Sequence, residues 1–264
     1  MLSREKILRK LAKAEDRQFI SKVIDKAQKA ESANCILFTD FMDPYQRSLV
    51  EKALAGEEQI CFAFNGGYEG AERVVAVFCP INMSFEECKD FKPPFRILNV
   101  KQNTRENLSH RDYLGALMAS GIKREKIGDI IVREDSCDIV VLGEIADYIL
   151  YSLDKVGNVK VETSVTGIEN LQHTEPWVKI INGTVASLRL DCVSGIGFGI
   201  SRSKMSEFIK AEKVNLNWEM IDCPSKQVKE GDTITIRGKG RVVVEKVGGT
   251  TKKGRIAISL KKYL

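Results

Sequence analysis

The feature that most limits the possible folds of this chain is the alternation of strand-like and helix-like segments between residues 95 and 165. Four segments are short apolar runs typical of β-strands, and two have apolar residues at helical spacing. In chain order they are a strand at 95–101, a helix from 109 to about 119, strands at 128–133 and 137–142, a helix at 145–153 and a strand at 159–165. The predicted element order is therefore β-α-β-β-α-β.

This order is the ferredoxin-like or RRM-like pattern. An RRM binds RNA by stacking nucleobases on aromatic side chains of its sheet. Residues 97–100 and 138–141, which form two of the predicted strands, include no aromatic residue. We therefore predict an RRM-like fold, and we do not expect base stacking on this sheet.

The region before this domain has a mixed pattern. Apolar residues at helical spacing lie within residues 4–31, and a further helix is expected to begin at Pro44 with Asp43 as its N-cap. Two strand-like runs follow, and a glycine-rich turn joins them. Lys92-Pro93-Pro94 interrupts the chain and marks a boundary.

The segment after the RRM-like region, residues 166–183, has no regular period and is predicted to be an irregular linker. The expected fold class is therefore α+β with three parts. These are an N-terminal mixed α/β domain at 1–91, a central RRM-like (ferredoxin-like βαββαβ) domain at 92–170, and a C-terminal domain at 184–264.

Charge is distributed unevenly along the chain. Residues 183–264 hold 16 lysines and arginines against 8 acidic residues, a net charge of +8, whereas residues 1–182 have a net charge of −3. The last 28 residues hold nine basic residues and one acidic residue. A basic region of this kind is typical of a module that binds a polyanion. Charge alone leaves a solvated basic tail as the alternative.

Several classes of function are disfavoured by the composition. The longest apolar run has about eight residues, whereas a membrane span needs about twenty, so we expect no membrane insertion and a cytoplasmic protein. Seven cysteines without C-x-x-C spacing are expected to be reduced thiols, and two histidines are too few for a multi-histidine zinc site. No nucleophile–base pair, metal cluster or intact nucleotide loop is recognisable, so no catalytic residue, cofactor or small-molecule substrate is expected.

The most informative motif lies in the basic C-terminal region. Ser201 is predicted to cap a helix whose inner face carries Met205, Phe208 and Ile209. The start of such a helix offers free N–H donors and a positive dipole, which suit a phosphate group.

Residues 189–237, with this helix and the Gly231-Asp232 turn, resemble the alpha-L RNA-binding motif, which is named after the fourth protein of the small ribosomal subunit. The whole chain also resembles the bacterial YlmH-type family, in which an N-terminal domain and an RRM-like domain precede this motif. The segments 110–115 and 121–130 are similar to the middle-domain signature of that family. The resemblance implies RNA binding on the ribosome, with ribosomal RNA and transfer RNA of the large subunit as partners, and a part in rescuing stalled translation.

The resemblance also assigns RNA contacts to particular residues. The motif positions are Arg189, Ser201, Arg202, Ser203 and Lys204, and Lys210 and Lys213 extend the same face. Charge alone adds the basic residues of the C-terminal tail, namely Arg237, Lys239, Arg241, Lys252, Lys253 and Arg255.

We therefore expect a non-catalytic, monomeric RNA-binding protein. Two other classes stay open at this point. One is an RNA-modifying enzyme with an appended RNA-binding domain, and the other is a protein-interaction or assembly factor that uses the N-terminal helices.

Overall fold

The computed structural model describes residues 4–57, 59–104, 106–171, 178–251 and 254–263. By its contacts the chain divides into two compact units, Met1–His173 and Thr174–Leu264. The mixed α/β composition agrees with the predicted fold class.

The first part of the N-terminal unit is a three-stranded antiparallel sheet with the strand order β1-β3-β2. Its elements are α1 (Arg4–Arg9), α2 (Ala14–Ser32), β1 (Leu37–Phe38), α3 (Pro44–Leu54), β2 (Cys61–Asn65), β3 (Val75–Cys79) and α4 (Phe85–Asp90). The predicted start of α3 is confirmed, because the Asp43 carboxylate accepts a hydrogen bond from the backbone N–H of Gln46 at 2.8 Å. Apolar side chains of α2 and α3 pack around Phe78 of β3 in one buried core.

The second part of this unit has the predicted βαββαβ order. Its elements are β4 (Phe95–Gln102), α5 (His110–Ala119), β5 (Ile127–Val132), β6 (Ser136–Leu142), α6 (Gly143–Ser152), β7 (Lys155–Val156) and β8 (Val159–Gly167). The sheet order is β5-β6-β4-β8-β7, and β7 is a short addition at the edge. Leu98 and Ile139 on one face of the sheet pack with Leu117 of α5 and Ile149 of α6.

The opposite face of this sheet is covered by the first sheet. Ile97 of β4 and Val140 of β6 are cross-strand partners, and both are buried. They share a core with Val77 of β3, and Phe41 stacks on Phe95 with ring centroids 5.0 Å apart. Positions that an RRM would use for base stacking are therefore aliphatic and lie between two sheets.

A polar contact also joins the two parts. The Asp129 carboxylate of β5 accepts hydrogen bonds from the Tyr68 hydroxyl at 2.6 Å and from the backbone N–H groups of Glu72 and Arg73 at 2.8 and 3.0 Å. The Arg73 guanidinium donates from Nε to the carbonyl of Ile127 at 2.8 Å. Both regions therefore belong to one packed unit.

The C-terminal unit is a six-stranded antiparallel sheet with two helices on one face. Its elements are β9 (Val178–Val185), α7 (Leu190–Phe198), α8 (Arg202–Lys210), β10 (Val214–Leu216), β11 (Glu219–Met220), β12 (Thr233–Ile236), β13 (Gly240–Thr250) and β14 (Ile256–Tyr263). The strand order is β11-β10-β12-β13-β14-β9. Val193 of α7 and Met205 and Ile209 of α8 pack against Val242 and Leu260 of the sheet.

Part of the predicted linker is a strand. Residues 178–183 belong to β9, which pairs along its full length with β14 at the end of the chain. The prediction of an irregular segment at 166–183 is therefore wrong over these residues, and it is also wrong at 166–167, which end β8. The apolar residues of this segment follow no regular period. The strand forms because it pairs with β14, which lies about 80 residues further along the chain.

The sequence also fails to predict α7, because the two glycines in its second half, Gly195 and Gly197, and Gly199 directly after its end disfavour a helix. The structure explains Gly197 and Gly199. A Cβ atom on Gly197 would lie 2.9 Å from Val242, so glycine lets α7 approach the sheet closely. Gly199 ends the helix with φ of +66°.

The predicted basic tail is a long β-hairpin. β13 and β14 pair from Arg241 with Tyr263 to Thr250 with Ile256. Lys261 lies within β14 and forms an ion pair with Glu245 at 2.8 Å. Four basic residues of this region are therefore held on strands, namely Arg241, Lys246, Lys261 and Lys262.

Candidate nucleic-acid interface

The N-terminus of α8 concentrates positive charge. Ser201 caps the helix as predicted, with its Oγ accepting from the backbone N–H of Lys204 at 3.4 Å, and it lies 3.3 Å from the Ser203 hydroxyl. The first turn carries Arg202 and Lys204 and no acidic residue. Cations at this end of a helix oppose its dipole. The turn is therefore unfavourable for the helix itself and favourable for an anion.

A buried carboxylate organises this positive region. Asp191, in the first turn of α7, is only 2% exposed. It accepts two hydrogen bonds from Arg189, at 3.1 and 3.0 Å, and one from Nε of Arg202 at 3.0 Å. Burial opposes its ionisation, but the hydrogen bonds from Arg189 and Arg202 outweigh burial and lower the pKa of Asp191 to about 2. The carboxylate is therefore charged and fixes both arginines.

Arg202 is held at one end and open at the other. Its Nε is bound to Asp191, yet its side chain is 59% exposed. Within the described residues its Nη nitrogens have no hydrogen-bond partner. A guanidinium group that is fixed in this way can hold a phosphate with two hydrogen bonds and loses little side-chain entropy on binding.

A second group of predicted residues lies at the other end of α8. The ammonium groups of Lys213 and Lys239 lie over the ring of Phe208, at 5.9 and 6.0 Å from its centroid. Phe208 is half-buried, so the helix face predicted to be wholly internal reaches the surface here. Lys210 and Arg237 are exposed nearby, and the backbone N–H of Arg237 bonds to the carbonyl of Lys213.

Arg241 has an aromatic environment that the sequence did not predict. Its guanidinium carbon lies 3.9 Å from the ring centroid of Tyr263 and 6.0 Å from that of Trp218. Arg241 and Tyr263 are direct partners on neighbouring strands. Trp218 and Tyr263 lie 23 and 22 positions from Arg241 in the chain, so no local sequence signal identifies this site.

The remaining predicted residues lie elsewhere. Arg255 is near the opposite end of the β13–β14 hairpin from Arg241, about 30 Å away at the rise of a β-strand. Its guanidinium donates to the hydroxyl and the carbonyl of Thr184, at 2.9 and 2.6 Å, and so fastens β14 to β9. Lys252 and Lys253 lie outside the described residues.

In the part of the chain that the structure describes, no group of three or more His, Cys, Asp or Glu side chains is arranged to hold a metal ion. No helix in the same residues combines the length and apolar character needed to cross a bilayer.

Comparison with protein families gives three matches along the chain. Residues 15–80 match the family "YlmH, N-terminal", residues 88–170 match "Putative RNA-binding domain in YlmH", and residues 193–234 match the S4 domain. The S4 match covers α8 and its surroundings.

Comparison with known proteins gives a relative over almost the whole chain. This is the "Ribosome-associated protein quality control protein P2" of Bacillus subtilis (strain 168), which is 32% identical over 249 residues, covering 94% of this chain and 95% of the relative. Among solved structures, the "Cell division protein ylmH from Streptococcus pneumoniae" is 20% identical, with a TM-score of 0.49, and covers 61% of this chain and 98% of its own.

Proposed function

Because this chain belongs to the YlmH family, we propose that it is a non-catalytic RNA-binding protein that acts on the ribosome. Its RNA targets in this proposal are ribosomal RNA and transfer RNA of the large subunit. Its role is the rescue or quality control of stalled translation. The name of the Bacillus subtilis relative supports association with ribosomes. In this proposal the protein works as a cytoplasmic monomer without a cofactor.

One observation carries the proposal. At the start of α8, the charged carboxylate of Asp191 fixes two arginines, and the side chain of Arg202 is 59% exposed. Free backbone N–H groups and the helix dipole act at the same place. The arrangement favours a phosphate group, and the net charge of +8 over residues 183–264 attracts a polyanion to it.

The experiment compares ribosome and RNA binding of the wild-type protein with Arg202→Ala. We expect Arg202→Ala to weaken binding by about 1–3 kcal/mol, the range for hydrogen bonds to charged groups. Arg202→Lys keeps the charge and loses the planar fork, so an intermediate loss is expected. Arg17→Ala, an exposed arginine on α2, is the matched control and should bind like the wild type. Co-sedimentation with ribosomal subunits and titration with structured RNA measure both effects.

Two further measurements are the salt dependence of RNA affinity and the mass of RNA nucleosides after incubation with the protein. Each phosphate contact contributes about −0.7 to −0.9 to the slope of log affinity against log salt. Affinity that does not change with salt, or equal binding by all three variants with matched thermal melts, contradicts the proposal. RNA nucleosides with altered mass after incubation with the protein would instead favour a modifying enzyme.

A further inference from the structure

The outer face of the C-terminal sheet, away from α7 and α8, has a composition unlike that of a solvated surface. Directly paired residues on neighbouring strands point to the same face of a sheet. One such row crosses all six strands and consists of Met220, Asn215, Thr235, Arg241, Tyr263 and Val178. The alternate residues of these strands, such as Val242 and Leu260, are buried under the helices.

This outer row joins aromatic, apolar and cationic groups. The guanidinium carbon of Arg241 lies 3.9 Å from the ring centroid of Tyr263 and 6.0 Å from that of Trp218. Val178 and Ile180, 45% and 46% exposed, extend the apolar surface along β9. Arg237 and Lys239 lie in the turn immediately before Arg241 and are exposed.

Trp218 occupies an unusual backbone position. It forms with Asn217 the two-residue turn between β10 and β11, and both have positive φ, +70° and +50°. Such turns strongly favour Asn-Gly, because a bulky side chain at positive φ is strained. The surroundings hold this turn in place, since Asn217 donates to the buried carboxylate of Asp232 at 2.8 Å and accepts from the N–H of Thr233 at 2.9 Å.

A strained backbone that the surrounding structure holds in place is a feature of functional sites. Glycine would satisfy the turn without strain, so the turn conformation alone does not account for tryptophan here. Proteins that bind single-stranded nucleic acid combine exposed aromatic rings with a positively charged groove, because every base has a π face and every nucleotide a phosphate.

We propose that the outer face of the C-terminal sheet binds an unpaired RNA segment, with one nucleobase stacked on Trp218 and the neighbouring phosphate held by Arg241. Tyr263 is a positioning residue that keeps the Arg241 guanidinium in place. This inference rests on the proposed RNA-binding function and adds a second contact surface, separate from the start of α8. The opposite helix-bearing face would contact the phosphates of structured RNA.

The test uses the full-length protein and two RNA probes, a stem-loop with an unpaired loop and a fully paired duplex of the same stem. Trp218→Gly should lower affinity for the stem-loop by about 10- to 100-fold, as expected for loss of base stacking, and should leave duplex binding unchanged. Its melting temperature should not fall, because Asn-Gly is the favoured turn. Trp218→Phe should restore most of the stem-loop affinity. Tyr151→Ala, which removes a ring that is 87% exposed on α6, is the matched control.

The role of Tyr263 is tested with the same probes. Tyr263→Leu keeps an apolar side chain beside Arg241 and should weaken stem-loop binding less than Trp218→Gly does. Adding Tyr263→Leu to Arg241→Gln should have no further effect, because a positioning residue acts only through its partner. An additive loss shows that Tyr263 contacts RNA directly and overturns its assignment as a positioning residue.

Three results overturn the stacking site and leave the proposed function intact. In the first, Trp218→Gly weakens binding of both probes equally. In the second, Trp218→Gly binds both probes normally while Arg202→Ala does not. In the third, Trp218→Gly keeps normal RNA affinity but no longer co-sediments with ribosomes, which indicates a protein contact. If the wild-type protein binds neither probe nor ribosomes, the proposed function itself fails.

Discussion

Two antiparallel sheets in this protein carry helices on one face and differ in what lies on the other. In the RRM-like region the second face presents Ile97 and Val140, and the N-terminal sheet covers them. In the C-terminal unit the second face presents Arg241, Tyr263 and the adjacent Trp218. Aliphatic residues made the first face part of a core, whereas aromatic and cationic residues suit the second to a ligand.

This difference shows that the topology of a sheet does not by itself identify a nucleic-acid-binding face. The element order alone favours the RRM-like sheet as a binding platform, because that fold is known for base stacking. Its side chains argue against this, and so does the net charge of −3 over residues 1–182.

The largest expected effect is the difference in stability between a charge placed on the covered face of the RRM-like sheet and one placed on the outer face of the C-terminal sheet. Ile97→Asp buries an unpaired carboxylate between two sheets, and we expect a loss of about 4 kcal/mol or more, or a failure to fold. Thr235→Asp, on the outer face of the C-terminal sheet, should change stability by about 0.5 kcal/mol or less. Urea unfolding followed by circular dichroism measures both. Similar stabilities for the two variants would show that the N-terminal sheet does not cover Ile97.

The second largest effect concerns the start of the C-terminal unit. A fragment of residues 184–264 lacks most of β9 and the packing of Ile181, so it should be less stable than 174–264 by about 3 kcal/mol. The 174–264 fragment should keep most of the RNA affinity, whereas 1–173 should bind weakly. Thermal melts and RNA titration of the three fragments are the measurements. Tight RNA binding by 1–173 would reverse the comparison between the two units.

The carboxylate of Asp191 should affect the pH dependence of stability, whereas an exposed surface carboxylate should not. The folded pKa of Asp191 is about 2, below its unfolded value, so its charge stabilises the fold above about pH 4 and this contribution is lost as pH falls towards 2. Asp191→Asn should be less stable than the wild type by about 2 kcal/mol at pH 7. This difference should shrink as the pH falls from 4 to 2.

Asp222→Asn, at an exposed position, is the control for this series and should follow the wild type at every pH. Urea unfolding across the pH range provides the data. A stability difference for Asp191→Asn that stays constant down to pH 2 would mean that the arginine contacts do not depend on its charge.

The smallest expected effect is on RNA binding by the cations around Phe208. Lys239→Gln should weaken RNA binding by less than about 1 kcal/mol and reduce the magnitude of the salt slope by about 0.7–0.9, as for one lost phosphate contact. Lys22→Gln on α2 makes the same charge change in the N-terminal unit and should leave the slope unchanged. Equal slopes for all three proteins would indicate that Lys239 only covers the ring of Phe208.

Local features of the fold followed from the sequence alone. The Asp43 and Ser201 caps, the α8 helix and the βαββαβ order were all predicted, because each depends on residues a few positions apart. The basic character of the C-terminal region was equally visible. These signals located the candidate interface within the last third of the chain.

Features that depend on distant partners were not predictable in this way. β9 is a strand because β14 pairs with it, and α7 tolerates its glycines because Val242 lies against Gly197. The contact of Asp191 with Arg202, the ring of Tyr263 under Arg241 and the burial of Ile97 likewise join residues that lie apart in the chain. Periodicity and charge determined which segments are helices, strands and basic regions. Only tertiary packing decided which face of each sheet became core and which charges were fixed in place, because burial and pairing energies arise between segments rather than within them.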